Sequence, residues 1–351
     1  MIVKIVFVLL ICSTVIGTIV TFWWYLHYSR EPWETVFDES SVTNILAPCT
    51  RPLGGFKAWR NGLVTVMRPE VSRNCSLLFQ GDPDEVQRVM RENERWKSTQ
   101  HDREFFDWTL SGNCTRIRDE FFHHFYVSRE EINFPLAFSM SIHDSPQQVV
   151  RLLKVIYRPH NLYCIHYDLK SPSKFRQVFD NIAKCLTNVF IPYKLVRVNW
   201  GDYTILDAQL SCITDLYDAR LRVEWKYLIT LCGKELPLRT NSEIVKLLKP
   251  LNGTSALIHL DMPEEERWRI ERRNYVNSKG KLIQTRRKLG PVPYNLKIYK
   301  SLAYFGLTPE FVNFVLHDSK AKALLHFMRQ GVSSAEEHFF STLFLLPGMC
   351  I

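Results

Sequence analysis

The chain has no Cys-x-x-Cys pair and no cysteine–histidine cluster at zinc-ligand spacing, although it holds nine cysteines. That absence argues against a zinc module and turns the cysteines toward disulfides. No basic run interleaved with aromatics is long enough for nucleic acid, so the formal charge of +9 does not by itself argue for a DNA or RNA partner. It is compatible with an anionic ligand such as a nucleotide sugar. Internal repeats and low-complexity segments are also lacking, which argues against solenoids and disordered arrays. One Asp-x-Asp occurs, Asp82-Pro83-Asp84, far upstream of the strands described below. Asp before Pro is an ordinary helix start, so DPDEVQRVMRENERW, to about Lys97, is expected as a charged, capped helix and not as a metal site.

What the chain does have begins at its amino end. Ile5 to Leu26 is a run of 22 residues without a charge, preceded by Lys4 and ending in Trp23, Trp24 and Tyr25. As a helix it is long enough to cross a bilayer, and the aromatic end suits a membrane interface. A cleaved signal peptide has a shorter apolar stretch and a small-residue cleavage site, so a retained signal anchor is expected. The expected layout is a cytosolic tail (1–4), an anchor (5–26), a stem (27–72) and one large domain (73–351). Eight cysteines lie outside the anchor, at 49, 75, 114, 164, 185, 212, 232 and 350. Three Asn-x-Ser/Thr acceptors accompany them, at Asn74, Asn113 and Asn252. Together these features fit a lumenal domain in an oxidising compartment, hence a single-pass type II membrane protein.

Strand and helix signals alternate from Phe134. FPLAFSMSI (134–142) and NLYCIHYD (161–168) are apolar runs of strand length, followed later by NVFIP (188–192) and KYLITLC (226–232). Between the first two, Asp144-Ser145-Pro146 starts a helix with Val149, Val150, Leu152, Leu153 and Ile156 on its core face. A second helix is expected over 171–186, with Phe175, Val178, Phe179 and Ile182 inward, and a third over about 204–221. This register predicts an α/β fold with a mainly parallel sheet buried on both faces. Ligands in such sheets bind at the carboxyl ends of the strands, which puts His143, Asp168 and the segment after Cys232 along one edge.

Six segments carry a resemblance to a known family: FPLAFSMSIH (134–143), NLYCIHYD (161–168), WKYLITLCGKELPLRTNSEIV (225–245), ERW (266–268), LAYFGLT (302–308) and SAEEHFFSTL (334–343). In that order they resemble the core 2 β-1,6-N-acetylglucosaminyltransferase, or branching, family, which also contains protein xylosyltransferases. The resemblance runs from about Cys75 to Pro347, and Trp225–Asn241 is its most specific part. It implies a type II Golgi enzyme with a GT-A-like domain that inverts the sugar anomer and needs no cofactor or divalent metal. The donor would be UDP-GlcNAc and the acceptor a mucin-type O-glycan, Gal-β-1,3-GalNAc on Ser or Thr. A homodimer is compatible with it.

Position by position, the resemblance implies that Glu337 of Ser334-Ala335-Glu336-Glu337 is the general base for the acceptor hydroxyl. Read alone, Glu336 and Glu337 are carboxylates expected in the first turn of a helix. His143 and Asp168 fall where the family contacts the uracil and ribose of UDP, although Asp168 could equally be a turn former. Arg267 matches an Arg that holds the acceptor sugar. The family's Lys three residues earlier is Glu264 here, and its upstream acidic acceptor contact falls near Leu260 and Asp261. The implied disulfides are Cys164–Cys212 and Cys114–Cys185, with Cys232 a free thiol. The family's next segment supplies an Arg and a Lys for the diphosphate and a partner for Cys75, and it has no counterpart here. Arg286-Arg287-Lys288 is expected as a solvated loop and not as their replacement. Two alternatives therefore stay open: transfer of another sugar such as xylose, and an inactive truncated member acting as a binding or assembly partner.

Overall fold

The computed structural model describes residues 75–96, 101–122 and 127–346. The chain divides into two compact units, whose described parts are 75–96 with 101–122, and 127–346. The anchor (5–26), the stem (27–72) and Asn74 lie outside the described residues. Among the described residues no helix is long and apolar enough to cross a membrane.

Among the described residues the first unit holds four helices: α1 (Cys75–Phe79), α2 (Pro83–Trp96), α3 (His101–Leu110) and α4 (Cys114–Phe121). Asp82 caps α2 by accepting the Glu85 N–H at 2.9 Å, with Pro83 at the first helical position. Its carboxylate is thus occupied in starting a helix. Asn113 caps α4 through Oδ1, which accepts the Thr115 and Arg116 N–H groups at 3.0 and 3.2 Å.

The second unit is a mixed α/β domain around a five-stranded sheet of order β3-β2-β1-β4-β9. Its strands are β1 (Leu136–Ile142), β2 (Leu162–Tyr167), β3 (Val189–Phe190), β4 (Tyr227–Cys232) and β9 (Gly306–Leu307). β2 and β4 run parallel to β1, β3 runs parallel to β2, and only β9 is antiparallel. Every residue of β2 is buried, as a sheet covered on both faces requires. α6 (Pro146–Ile156) buries the five residues read from its periodicity. α7 (Ser173–Cys185) buries Phe175, Val178, Phe179 and Ile182, with Cys185 added. β3 is shorter than expected, two residues instead of five, and Pro192 has no N–H to continue its ladder. α8 spans Thr204–Asp218, and the last expected turn is a separate 3₁₀ turn, Ala219–Leu221.

Helices α8, α11 (Pro309–His317), α12 (Ser319–Met328) and α13 (Phe339–Phe344) share one core with Ala137, Leu162, Cys164 and Leu228. On the other side of β1, Phe138 stacks on Tyr163 at 5.2 Å. The sheet's amino edge is closed by buried amides. Asn161 accepts the Leu136 N–H at 2.9 Å and donates to Asn241 at 3.0 Å, and Asn241 donates to Glu131 at 2.8 Å. Glu131 belongs to α5 (Arg129–Ile132), and Asn241 opens α9 (Asn241–Leu248). Burial opposes the Glu131 charge, but hydrogen bonds from Asn241 and Ser128 outweigh it and hold the carboxyl below the usual range. The Thr240-Asn241 part of the most specific family segment is therefore structural: Thr240 caps α9, and Asn241 ties it to the sheet.

Cys164 of β2 is bonded to Cys212 of α8, with a Cα–Cα distance of 5.5 Å. Cys114 and Cys185 are both in disulfides, and Cys232 is a free, half-buried thiol. The Cys164–Cys212 bridge spans a sequence separation of 48, so it removes about 4 kcal/mol of loop-closure freedom from the unfolded chain. Replacing both cysteines with Ala should lower unfolding free energy by roughly that amount, read from denaturant midpoints. An unchanged midpoint would mean the bridge does not constrain the unfolded ensemble.

Candidate active site

The carboxyl ends of β1, β2 and β4 carry the polar residues expected there. His143 follows β1 and is exposed, with Nε2 3.7 Å from Asp144 Oδ2. Lys234, from the turn after β4, reaches the same Asp144 oxygen at 3.1 Å. The Ser171 hydroxyl donates to the His143 carbonyl at 2.8 Å and joins the ends of β1 and β2.

Asp168, which follows β2, is buried. Its Oδ1 accepts the Lys170 N–H at 2.8 Å and the Val198 N–H at 3.4 Å. Lys170 Nζ lies 3.6 Å from Oδ2, donates to Asn199 Oδ1 at 3.2 Å and also bonds the Val198 carbonyl. The carboxylate is thus engaged by its own turn, the turn-forming role weighed for it, and by the distant Val198. His166 Nε2 accepts the Val196 N–H at 3.0 Å. Burial lowers the pKa of His166 to about 4, so the ring is neutral and able to accept.

After β4, Glu235 folds back to accept the Cys232 N–H at 2.9 Å. Burial raises Glu235 to about 7 and pushes the Cys232 thiol up. Gly233 is required between them, because a Cβ there would lie 2.7 Å from Val149 Cγ2 of α6.

Glu337 sits in a 3₁₀ turn, Ala335–Glu337, entered through Ser334 at φ 50°. The expectation that Glu336 and Glu337 open a helix is corrected. α13 starts only at Phe339, and a three-residue turn carries little of the dipole that would favour both charges. The turn is held from three sides. Ser334 donates its N–H to the Gly201 carbonyl at 2.8 Å, Ser333 donates its N–H to Arg269 O at 3.0 Å, and Ser301 donates its N–H to Glu337 O at 2.6 Å.

The Glu337 side chain accepts from Arg269 at 2.9 Å. Arg269 also lies 3.2 Å from Glu266 Oε2, without hydrogen-bond alignment, and Lys300 donates to Glu266 Oε1 at 2.5 Å. Lys300, Glu266, Arg269 and Glu337 thus form a chain of alternating charge. Side-chain exposure falls to 14% at Glu266 and rises to 29% at Glu337, so its last member faces solvent enough to meet a substrate.

The neighbours of Glu337 behave differently. Glu336 is 5% exposed with Oε2 unpartnered. Burial raises it to about 8, and the charges of Glu337 and Asp202 push the same way. His338 is fully buried and drops to about 4, chiefly by desolvation. Three consecutive residues therefore hold a solvent-accessible carboxylate, a neutral carboxylic acid and a neutral imidazole.

Arg267, the expected acceptor contact, does not join this group. It is exposed and pairs with Glu264 at 3.1 Å and Glu271 at 3.8 Å, both on its own turn. Arg269 reaches Glu337 instead, from α10 (Trp268–Glu271). Positions two apart on a helix face different ways. Asp261, in β5 (Leu260–Asp261), pairs with Lys297 at 2.5 Å. Arg286-Arg287-Lys288 is not a loop but the end of β7 (Leu282–Lys288), which pairs with β6 (Arg272–Val276). Asn277-Ser278-Lys279-Gly280 between two part-apolar runs was the hairpin signal.

The unit is thus a mainly parallel α/β domain whose turn-borne carboxylate is tied through Gly201 to the segment that meets the carboxyl end of β2. Residues 136–350 match the Core-2/I-Branching enzyme family, and the chain belongs to it. It is 34% identical over 281 residues to mouse β-1,3-galactosyl-O-glycosyl-glycoprotein β-1,6-N-acetylglucosaminyltransferase 4, covering 79% of this chain and 61% of that protein. It is 34% identical over 290 residues to the human transferase 3, covering 81% and 65%. The bovine herpesvirus 4 transferase is 32% identical over 283 residues, covering 79% and 63%. The chain thus spans a little under two thirds of these relatives' lengths.

The Glu336 shift predicts a pH dependence. An unfolded carboxyl titrates near 4.5 and the folded one near 8, so between these values the folded state holds a proton that the unfolded state lacks. Stability from this group is therefore present at low pH and lost as pH rises toward 8. His338 acts oppositely, but only between about 4 and 6.5. Glu336→Gln should flatten the decline in melting temperature between pH 6.5 and 8. Parallel melting curves for variant and wild type would show that Glu336 does not titrate there.

Proposed function

We propose that the protein transfers N-acetylglucosamine from UDP-GlcNAc in β-1,6 linkage to mucin-type O-glycans, with inversion, no metal and a lumenal domain in the Golgi. The observation that carries the proposal is Glu337, a partly exposed carboxylate oriented by Arg269 next to a neutral Glu336. The names of the three relatives, with donor sugar and linkage in them, support it. In this reading Glu337 takes the proton from the acceptor C6 hydroxyl as its oxygen attacks the anomeric carbon, and UDP leaves from the opposite face. Arg269 keeps the carboxylate aimed. His143 contacts the donor's nucleoside, and Asp168 contributes by shaping the 168–171 loop as well as by any direct contact. The pairing of Arg267 with Glu264 favours a second reading within the class, transfer of a different sugar such as xylose.

Transfer assays with UDP-GlcNAc or UDP-xylose and Gal-β-1,3-GalNAc test this. Glu337→Gln should cut turnover by at least about 100-fold with UDP affinity retained, and Glu336→Gln, an isostere of the neutral acid, should be mild. Arg269→Met should cost roughly tenfold in turnover, as loss of one charge-assisted bond predicts. Activity should survive EDTA, and loss restored by manganese would sink the metal-free reading. No transfer from either donor would favour an inactive partner.

The lumenal placement has its own test. Asn113 and Asn252 are both exposed, and the Asn113 capping bonds use Oδ1 and not the amide nitrogen. Peptide-N-glycosidase should shift the gel mobility of the protein from secretory membranes. No shift, with digestion from the cytosolic side, would place the domain outside the lumen.

A further inference from the structure

The β6–β7 hairpin is a charge feature that the transferase reading leaves unused. From Arg272 to Lys288 the chain has seven cations and no acid. Arg272, Arg273, Lys281, Arg286, Arg287 and Lys288 are exposed on the strands and their ends, and the turn adds Lys279. Among the described residues none of them forms an ion pair. Of the acids just before it in sequence, Glu264 and Glu271 are paired with Arg267, and Glu266 with Arg269 and Lys300. Arg272 stands directly opposite Lys288, a cross-strand like-charge pair that weakens a free hairpin.

This hairpin is firmly fixed. Asn274 is buried and directs both its backbone N–H and its Nδ2 to the Gly331 carbonyl, at 2.9 and 3.0 Å. Gly331 has φ 113°, and a Cβ there would fall 2.4 Å from the Asn274 carbonyl, so only glycine admits the contact. Thr285 Oγ1 donates to Arg273 O at 2.7 Å and ties the two strands together. Two residues past Gly331 begin Ser333 and Ser334, the anchors of the Glu337 turn. Leu282 packs against Gly201, whose carbonyl holds that turn. Candidate base and cationic hairpin are therefore built on one framework. A seven-residue strand rises roughly 20 Å, the length of several sugar rings.

We propose that the hairpin is the anion-reading part of the acceptor site, so that the acceptors are glycans carrying carboxylate or sulfate groups. The inference rests on the transferase reading for the word acceptor, and the charge argument stands without it. A dense field of one sign beside a site raises the local concentration of oppositely charged ligands and falls with salt.

The test is direct binding of three probes to the full chain: Gal-β-1,3-GalNAc, the same disaccharide sialylated, and the same disaccharide sulfated. Binding needs no turnover, so failure to transfer would reject the transferase reading alone. Both acidic probes should bind about tenfold more tightly than the neutral one at low salt, as three modest surface charge contacts imply. High salt should abolish the preference in the wild type, a measurement that depends on no variant. The triple variant Arg286→Gln/Arg287→Gln/Lys288→Gln should also lose it, with neutral binding unchanged. Replacing Arg286 and Arg287 by Lys, which keeps the charge, should retain most of it. Equal binding of neutral and acidic probes overturns the proposal, as does a preference that survives the triple variant. Weakened UDP-GlcNAc binding with the acidic preference intact would overturn it in favour of a donor role.

Discussion

The candidate site depends on one peptide, that of Gly201. Its carbonyl accepts the Ser334 N–H at 2.8 Å and the Ser333 hydroxyl at 3.3 Å, and so it fixes the turn that carries Glu337. The same segment is held from the other side. Val196 donates to His166 of β2, and Val198 donates to Asp168 at the end of β2. A short loop thus couples the carboxyl edge of the parallel sheet to a turn more than a hundred residues further along the chain. Loops carry functional groups well when a rigid scaffold places them, and here the scaffold is a sheet buried on both faces.

Around that turn, environment and not residue type sorts the chemistry. Glu336 and Glu337 are neighbours of identical structure. Glu336 has lost water without gaining a partner for Oε2, so the neutral acid is favoured. Glu337 keeps solvent and gains Arg269. Lys300 and Glu266 extend the pairing inward, which satisfies most of the charge that a half-buried arginine would otherwise leave exposed to a low dielectric. A base for a sugar hydroxyl needs a carboxylate that is open to substrate and fixed in direction, and of the two only Glu337 has both properties.

Much of the fold was legible in the chain. The apolar runs at 136–142, 162–167 and 227–232 are strands because only a sheet covered on both faces buries such runs whole. The five inward residues of α6 follow from helical spacing alone. Legibility failed where elements are short. β3 shrinks to two residues, and the supposed helix start at Glu336 is a 3₁₀ turn. Elements of two to four residues have too few side chains to show a period, and distant contacts decide their geometry.

By itself, the sequence determined the alternation of strands and helices, the edge on which His143 and Asp168 fall, and the family to which the chain belongs. These follow from local pattern, which every stretch of chain carries with it. Tertiary structure alone decided that Asp168 is met by the Val198 N–H, that Arg269 and not Arg267 reaches Glu337, and that Glu336 is desolvated. Arg269 and Glu337 are 68 positions apart, and Asp168 and Val198 are 30 apart. Charge pairing and loss of water depend on distances in space, and no spacing along the chain encodes them.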